Sequence, residues 1–524
     1  RSRVSIMSRL VGALLLGIYL CSLVSTIQLS SLDFSARSRV TLHAESHIIR
    51  TQGLILDTAV LENLSPSEEI HSFALFEDTI LNVRVDEVES PTTLGAKIFK
   101  GAVVSASEAD SGTFAISVYD GAVAASFTLE EEEGVRTYSV GGHPQMRGAF
   151  VAHQTDRSRY LPVSDVVIPK DQADEVEMSN PDESSFQTRS TASSVTVTID
   201  ILAGYSSQAL SAAGSRSQMI AKLNLAMSET ATVNSNSQLT TMRFRLVGVA
   251  GPYNFPSETS SLDVLKTITN TSTSIGADLL TKRTAVGADT VAMISAGTDV
   301  CGIAYLMQTL GDNFKSSAYS VTVSICLTGD VTFAHELGHN LGLTHNKADG
   351  GQGVYTYGYG WRWSGDSYRS VMSYAPGTQM PYWSNPSVTN NGAATGDATD
   401  GDSVTALKNV KGTAAGWYPA AMCSGLSQTY CTDPKNPNCK WMGSACTCIS
   451  STGCITEMMS WDMLGCGNGI VQTGEECDDG NASNTDKCST TCKLIKSGST
   501  TPAAAPTSTP TSTGSSATSA DGLC

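Results

Sequence analysis

Three histidines carry the chemistry of the second half of the chain. His335, His339 and His345 are the only histidines after residue 153, of eight in all. They sit in the string His335-Glu336-Leu337-Gly338-His339-Asn340-Leu341-Gly342-Leu343-Thr344-His345. On a helix, residues four apart share a face, so the imidazoles of His335 and His339 can both reach one Zn²⁺ at about 2.0 to 2.1 Å. Glu336, beside the first ligand, can take a proton from metal-bound water rather than bind the metal, which is the role of a general base. Gly342 lets the helix end and the chain turn, returning His345 as a third ligand and leaving the fourth position to water. The chemistry open to this set is zinc-assisted hydrolysis of an amide, with a single catalytic zinc. A Ser-His-Asp or Cys-His mechanism in this region would have to borrow one of the same histidines. The bland alternative is a helix with satisfied core histidines.

The helix that presents these groups is predicted to begin near Val331, with Asp330 as its N-cap. Upstream, strand and helix signals alternate. Val195 to Leu202, Thr241 to Ala250, Thr290 to Ser295 and Tyr319 to Cys326 read as strands. Ser206 to Thr230 and Leu262 to Leu280 read as helices. That alternation indicates an α/β layer with a central twisted sheet. Asp397, Asp400 and Asp402 fit no calcium-loop spacing and are expected to cap a helix from about Ser403 to Gly416.

Composition bounds the rest. With 524 residues the chain is too long for one domain, and 50 acidic against 33 basic residues give a net charge of −17. Such a balance excludes nucleic-acid binding, since phosphate contact needs Lys and Arg. Of 14 cysteines, none lies between Cys21 and Cys301, and ten fall between Cys423 and Cys492. A cysteine-dense end in a chain with a targeting signal reads as disulfide scaffolding in an oxidising compartment. That signal is residues 7–26, where Arg9 precedes an apolar run from Leu10 to Val24. A cleaved peptide implies a secreted, extracellular protein; an uncleaved anchor, or a chain continuing beyond residue 524, implies the cell surface. Residues 27–190 are β-rich and end in an acidic, Ser-rich linker. Their five histidines, His43, His47, His71, His143 and His153, lack ligand spacing and read as surface or structural.

The zinc string followed by Ser370-Val371-Met372-Ser373-Tyr374 resembles a metzincin metallopeptidase. The resemblance implies an α/β (α+β) catalytic domain over 191–420, with Met372 in a tight turn beneath the zinc. In the astacin-like and serralysin-like branches a tyrosine two residues after that methionine approaches the zinc. The same role for Tyr374, stabilising the oxyanion, competes with ordinary packing. Cys301-Gly302-Ile303-Ala304-Tyr305-Leu306, Ser324-Ile325-Cys326 and Thr332-Phe333-Ala334 are similar to reprolysin-like peptidases, the ADAM and snake-venom type with their microbial relatives. One departure is Asn346, where reprolysins carry Asp. Cys301 and Cys326, the only cysteines of this domain, either form its one disulfide or remain buried thiols. Pro381 to Pro386 either line a specificity pocket or close the core.

By position, and by the resemblance of Phe73 to Glu89 to reprolysin propeptides, residues 27–190 are read as a propeptide. Its competitor is a permanent accessory domain. A cysteine latch on the zinc is unavailable, and processing is expected near Arg157 and Arg159 or near Arg189. Residues 421–465 form a cysteine-rich module, 466–496 resemble a disulfide-rich extracellular repeat, and 497–524 read as a Ser/Thr/Pro-rich stalk. These modules are expected to meet an extracellular matrix or cell-wall partner. Asn63, Asn270 and Asn481 head glycosylation sequons. The whole is read as a secreted zinc metalloendopeptidase made as a zymogen and acting on proteins or peptides. Two alternatives stand beside it: a proteolytically silent adhesion or matrix protein with a structural zinc, and a zinc hydrolase of cell-wall peptides.

Overall fold

The structure is a computed structural model. It describes residues 47–89, 95–104, 110–131, 134–143, 149–156, 159–162, 166–169, 196–349, 351–421 and 423, with short strands at Val24–Thr26, Ser30–Ser31, Cys439–Met442, Ala445–Cys448 and Met459–Ser460. The C-terminal repeat, the stalk, Cys524, His43 and Asn481 lie outside the described residues.

Alternating apolar residues build the front of the chain into one ten-stranded sheet. Its strands are β1 (Val24–Thr26), β2 (Ser30–Ser31), β3 (Ile48–Ile55), β4 (Ile70–Phe76), β5 (Thr79–Glu89), β6 (Lys97–Val104), β7 (Asp110–Tyr119), β8 (Ala122–Glu131), β9 (Gly134–Gly142) and β10 (Phe150–Thr155). They are ordered β1-β4-β5-β6-β7-β8-β9-β10-β3-β2. From β4 to β10 each strand pairs antiparallel with the next in sequence, the pattern that short turns allow. One face closes on Phe73, Leu75, Phe99, Ile116 and Phe127. Val24–Thr26, inside the stretch read as a signal peptide, lie along β4.

The second layer is a sheet ordered β14-β15-β13-β11-β12, with Met459–Ser460 added beyond β12. Its strands are β11 (Val197–Ser206), β12 (Met242–Tyr253), β13 (Thr290–Ser295), β14 (Gly302–Ala304) and β15 (Tyr319–Val323). β15, β13, β11 and β12 run parallel, and every residue of β11, β13 and β15 is buried. That is the run of apolar and small residues a parallel strand needs when both its faces are covered. β14 is antiparallel and closes one edge.

Two helices expected as single pieces are each broken. Ser206 to Thr230 is instead Ser207–Ala213 (α1) and Arg216–Asn236 (α2). Gly214 takes a left-handed φ of 88° and Ser215 starts the next helix by accepting from the Gln218 N–H. Leu262 to Leu280 is instead Ser261–Thr269 (α3) and Ser274–Val286 (α4). Asn270 leaves the helical region and Thr273 recaps on the Gly276 N–H. α2 is buried along both sides. Met219, Leu223 and Ala226 pack on the parallel sheet. Ala221 and Leu225 pack on Ala115, Ala122 and Ala124 of the front sheet. Ser217 and Ser126 add hydrogen bonds to Asp120 and Glu229 across that seam.

Candidate metal centre and active site

The histidine helix, α5, spans Thr332–Asn340, and all nine residues are buried. Its start corrects the expected cap. The N-cap is Val331, left-handed at φ 57° with no side-chain cap bond. Asp330 holds the first turn from one residue earlier, accepting from both the N–H and the Oγ1 of Thr332. Gly342, at φ 79°, turns the chain after the helix, and His345 returns to the other two histidines.

The three Nε2 atoms converge. His339 Nε2 lies 2.9 Å from that of His335, and His345 Nε2 lies 3.3 Å from it. Two nitrogens bound at tetrahedral angles to one zinc stand roughly 3.3 Å apart, so the set fits a tetrahedral zinc. Backbone carbonyls fix the tautomers. His335 Nδ1 lies 2.8 Å from the Val371 oxygen and His339 Nδ1 lies 2.8 Å from the Leu343 oxygen. A carbonyl only accepts, so each Nδ1 carries the proton and each Nε2 keeps its lone pair for a metal. Burial drives all three imidazoles toward neutrality. His335 falls to about 4, with Arg369 adding to the effect, and His345 falls to about 2. His339 is also depressed well below the ordinary value, by burial first and then by the other two histidines. Among the described residues, two other groups of potential ligands occur, around Cys423 and around Cys301. Their sulfurs are tied in disulfides.

Glu336 is 1% exposed, and neither carboxylate oxygen has a hydrogen-bond partner. Such a group is costly unless something else meets it. Burial, and then Asp330, push its pKa well above the ordinary carboxylate value. The carboxylate sits against β14. A methyl added at Gly302 would stand 2.7 Å from its Cγ and 2.8 Å from its Cδ. Glycine at 302 is therefore part of the site, a role that the resemblance of Cys301 to Leu306 did not itself assign.

Met372 lies under α5, where a methyl added at Gly338 would come within 2.6 Å of its Sδ. The Tyr374 ring stacks on His345, centroids 3.8 Å apart at 28°. Asn346 accepts from the Tyr374 N–H at 2.9 Å, so the amide oxygen supplies an acceptor where the resembling family has a carboxylate. Two arginines that sequence reading passed over grip this turn. Arg362 donates to the carbonyls of Tyr374 and Ala375, and Arg369 to those of Ser373 and Gly377.

Other expectations sort as follows. Cys301 and Cys326 form a disulfide. Within Pro381 to Pro386, Trp383 is fully buried and donates to Asn234, and Asn385 donates to the Ser237 carbonyl, while Pro381, Tyr382 and Pro386 are half-buried. Asp402 caps the helix Ser403–Ala414, Asp397 accepts from the Thr399 and Asp400 N–H groups, and Asp400 pairs with Lys347. Asn63 and Asn270 are exposed at the ends of helices. Cys423 pairs with Cys439.

Comparison with known proteins gives the same reading. A family model described as metallo-peptidase family M12B, reprolysin-like, matches residues 191–401. A peptidyl-Asp metalloendopeptidase of Stenotrophomonas maltophilia (strain R551-3) is 32% identical over 228 residues, 42% of this chain and 52% of that one. One from Xanthomonas campestris pv. campestris is 30% identical over 220 residues, 41% of this chain and 50% of that one. The chain thus spans about half the length of these curated relatives. A solved structure titled "Structure of a chaperone-substrate complex" aligns with a TM-score of 0.34 at 16% identity, over 58% of this chain and 39% of that one.

Proposed function

Since residues 191–401 match the model of the reprolysin-like metallopeptidase family M12B, we propose that the protein is a secreted zinc metalloendopeptidase made as a zymogen. The observation that carries the activity is the convergence of three lone-pair Nε2 atoms beside a buried carboxylate without a partner. His335, His339 and His345 would hold a zinc, which would supply Lewis acidity and make a water at the site easier to deprotonate. Glu336 accepts the proton of the attacking water and delivers it to the leaving amine. Met372 floors the ligands, and the Tyr374 ring, fixed by Asn346 and its stacking on His345, is positioned to meet the developing oxyanion. The aspartate in the relatives' name suggests substrates cleaved beside Asp. The front sheet, seated on α2, acts as the propeptide.

The test is hydrolysis of casein, and of a peptide panel with and without Asp, by the processed full chain with and without a zinc chelator. Glu336→Ala is expected to keep one zinc per chain and lose about 10²- to 10⁴-fold in kcat/KM. Full activity in that variant, or no hydrolysis by a folded, zinc-loaded chain, would reject the proposal.

A further inference from the structure

The carbonyl that orients His335 comes from the middle of a turn. The Ser373 N–H donates to the Ser370 carbonyl at 3.0 Å, so Ser370–Ser373 is a β-turn with Val371 and Met372 at its centre. That bond ties the ends of the turn and not its middle. The peptide between the two central residues swings by roughly half a revolution between the two common turn types. Met372 lies outside the left-handed region that the swung form requires of it, and sterics disfavour that form for a residue with a Cβ without forbidding it. The Val371 carbonyl therefore needs partners to stay where His335 meets it, and it has two. His335 Nδ1 donates at 2.8 Å and the Gln379 Nε2 at 3.1 Å, one for each lone pair of the oxygen. Gln379 is 9% exposed, and its backbone is pinned. Thr378–Gln379 pairs in parallel with Tyr368–Arg369, the Thr378 N–H donates to the Ser367 carbonyl and the Met380 N–H to the Arg369 carbonyl, each at 2.8 Å. His339 has no such need, because its acceptor, Leu343, is fixed at the helix exit by a bond from its own N–H to the Gly338 carbonyl at 2.9 Å.

We infer that Gln379 is a positioning residue of the metal site, which keeps the Val371 carbonyl turned toward His335 while no metal holds the imidazole. This role presupposes the zinc site of the peptidase reading and adds the residue that prepares one of its ligands. In the loaded chain the His335 ring would be held at Nε2, and its Nδ1–H would keep the carbonyl in place, so Gln379 matters least there and most in the metal-free chain. Without the amide, part of the metal-free population carries the carbonyl swung away. His335 then has no acceptor at Nδ1 and can take the other tautomer, in which Nε2 bears the proton and cannot ligate. A site that is competent in only a fraction of the molecules has its apparent affinity reduced by that fraction. The tautomer of the loaded site is untouched, since the carbonyl itself remains. What changes is the share of molecules ready to bind.

The experiment measures the zinc dissociation constant of the metal-free full chain by competition with a chromophoric chelator. Gln379→Met keeps the side-chain volume and removes the donor. Gln379→Asn keeps the amide but leaves it one methylene short of the carbonyl, and it decides the matter if the first variant does not fold. Each is expected to raise the constant about ten-fold, on the order of one net hydrogen bond. Hydrolysis of a fluorogenic peptide by the processed chain at saturating zinc should stay near the parent's. Thr395→Val removes a buried bond of the same kind, from Oγ1 to the Asn385 carbonyl at 3.0 Å, whose acceptor serves no zinc ligand, and should keep the parent's constant. An unchanged constant in the Gln379 variants would overturn the inference. So would an equal rise in Thr395→Val, which would show that general loosening is enough, or a turnover that stays ten-fold down at saturating zinc. A ten-fold rise beside a zinc-loaded parent that hydrolyses nothing would leave Gln379 in its role and reject the peptidase reading.

Discussion

A methyl group at residue 302 should disable the enzyme without unfolding it. Gly302 lies outside the left-handed region, so alanine fits the backbone and should add about 0.4 to 1 kcal/mol by restricting the unfolded chain. Its Cβ would stand 2.8 Å from the Glu336 Cδ, with Oε1 nearer still, where ordinary contact begins at 3.4 Å. The Cδ must therefore retreat 0.6 Å, and Oε1 about 1 Å. The carboxylate ends a flexible side chain, so the fold absorbs this shift cheaply, but proton transfer does not. A misplacement of about 1 Å costs on the order of 10²-fold in rate, close to 2.7 kcal/mol of barrier. Gly302→Ala should thus show that loss in kcat/KM on a fluorogenic peptide, with zinc content at the wild-type value and a thermal midpoint no lower than the parent's. In a Glu336→Ala background the same change should cost nothing, since the displaced group is gone. Wild-type turnover in folded, zinc-loaded Gly302→Ala would refute the placement of Glu336 against β14.

Three further outcomes follow from the same geometry. Gly338→Ala, which at an ordinary mid-helix position would gain about 1 kcal/mol, should instead lower the calorimetric midpoint, because the new methyl meets Met372 Sδ at 2.6 Å and overpacking costs about 1 to 3 kcal/mol; a raised midpoint would contradict the packing. Removing the Cys301–Cys326 bridge by a double serine substitution should cost about 3 to 4 kcal/mol in denaturant unfolding, for a separation of 25 residues, and a change under about 1 kcal/mol would show that the bridge does not constrain the unfolded chain. His47 and His153 are both lowered to about 4, by burial first and then by Lys222. Between pH 6.5 and about 4 the unfolded chain binds more protons than the native one, so stability is full above pH 6.5 and falls as the pH drops through that window. Urea midpoints at pH 7, 5 and 4 should fall less steeply in His47→Gln/His153→Gln than in the parent, and parallel slopes would dismiss these two groups as the cause.

The parts of the site legible in the sequence are those made by side chains at fixed spacing. His335, Glu336, His339 and His345 are readable because the helical period and a glycine turn translate directly into shared geometry. Asn346 was visible as a departure, but its role as acceptor for the Tyr374 N–H depends on a contact across 28 residues. Gly302 and the arginines at 362 and 369 were not legible, since a small residue in a strand and cations near a turn have many ordinary uses. The α/β alternation placed the strands well, while Gly214 and Asn270, which break two helices, look in the sequence like tolerable interior residues. Pro381 to Pro386 read either way because apolar residues serve pocket and core alike; the hydrogen bonds of Trp383 and Asn385 to the end of α2 tie those two residues into the core.

The carbonyls of Val371 and Leu343 that orient His335 and His339 also bear on mutational tolerance. Many metal sites assign this task to a carboxylate side chain, and there a single codon change abolishes it. Here the acceptors are main-chain atoms, which every residue type supplies. A saturation scan of the domain would register the three histidines and Glu336 sharply. At positions 343 and 371 it would register only the loss of buried apolar bulk. What sets the proton positions on two of the three ligands is thus hidden from genetics, and protected from it, because no substitution can delete a backbone oxygen.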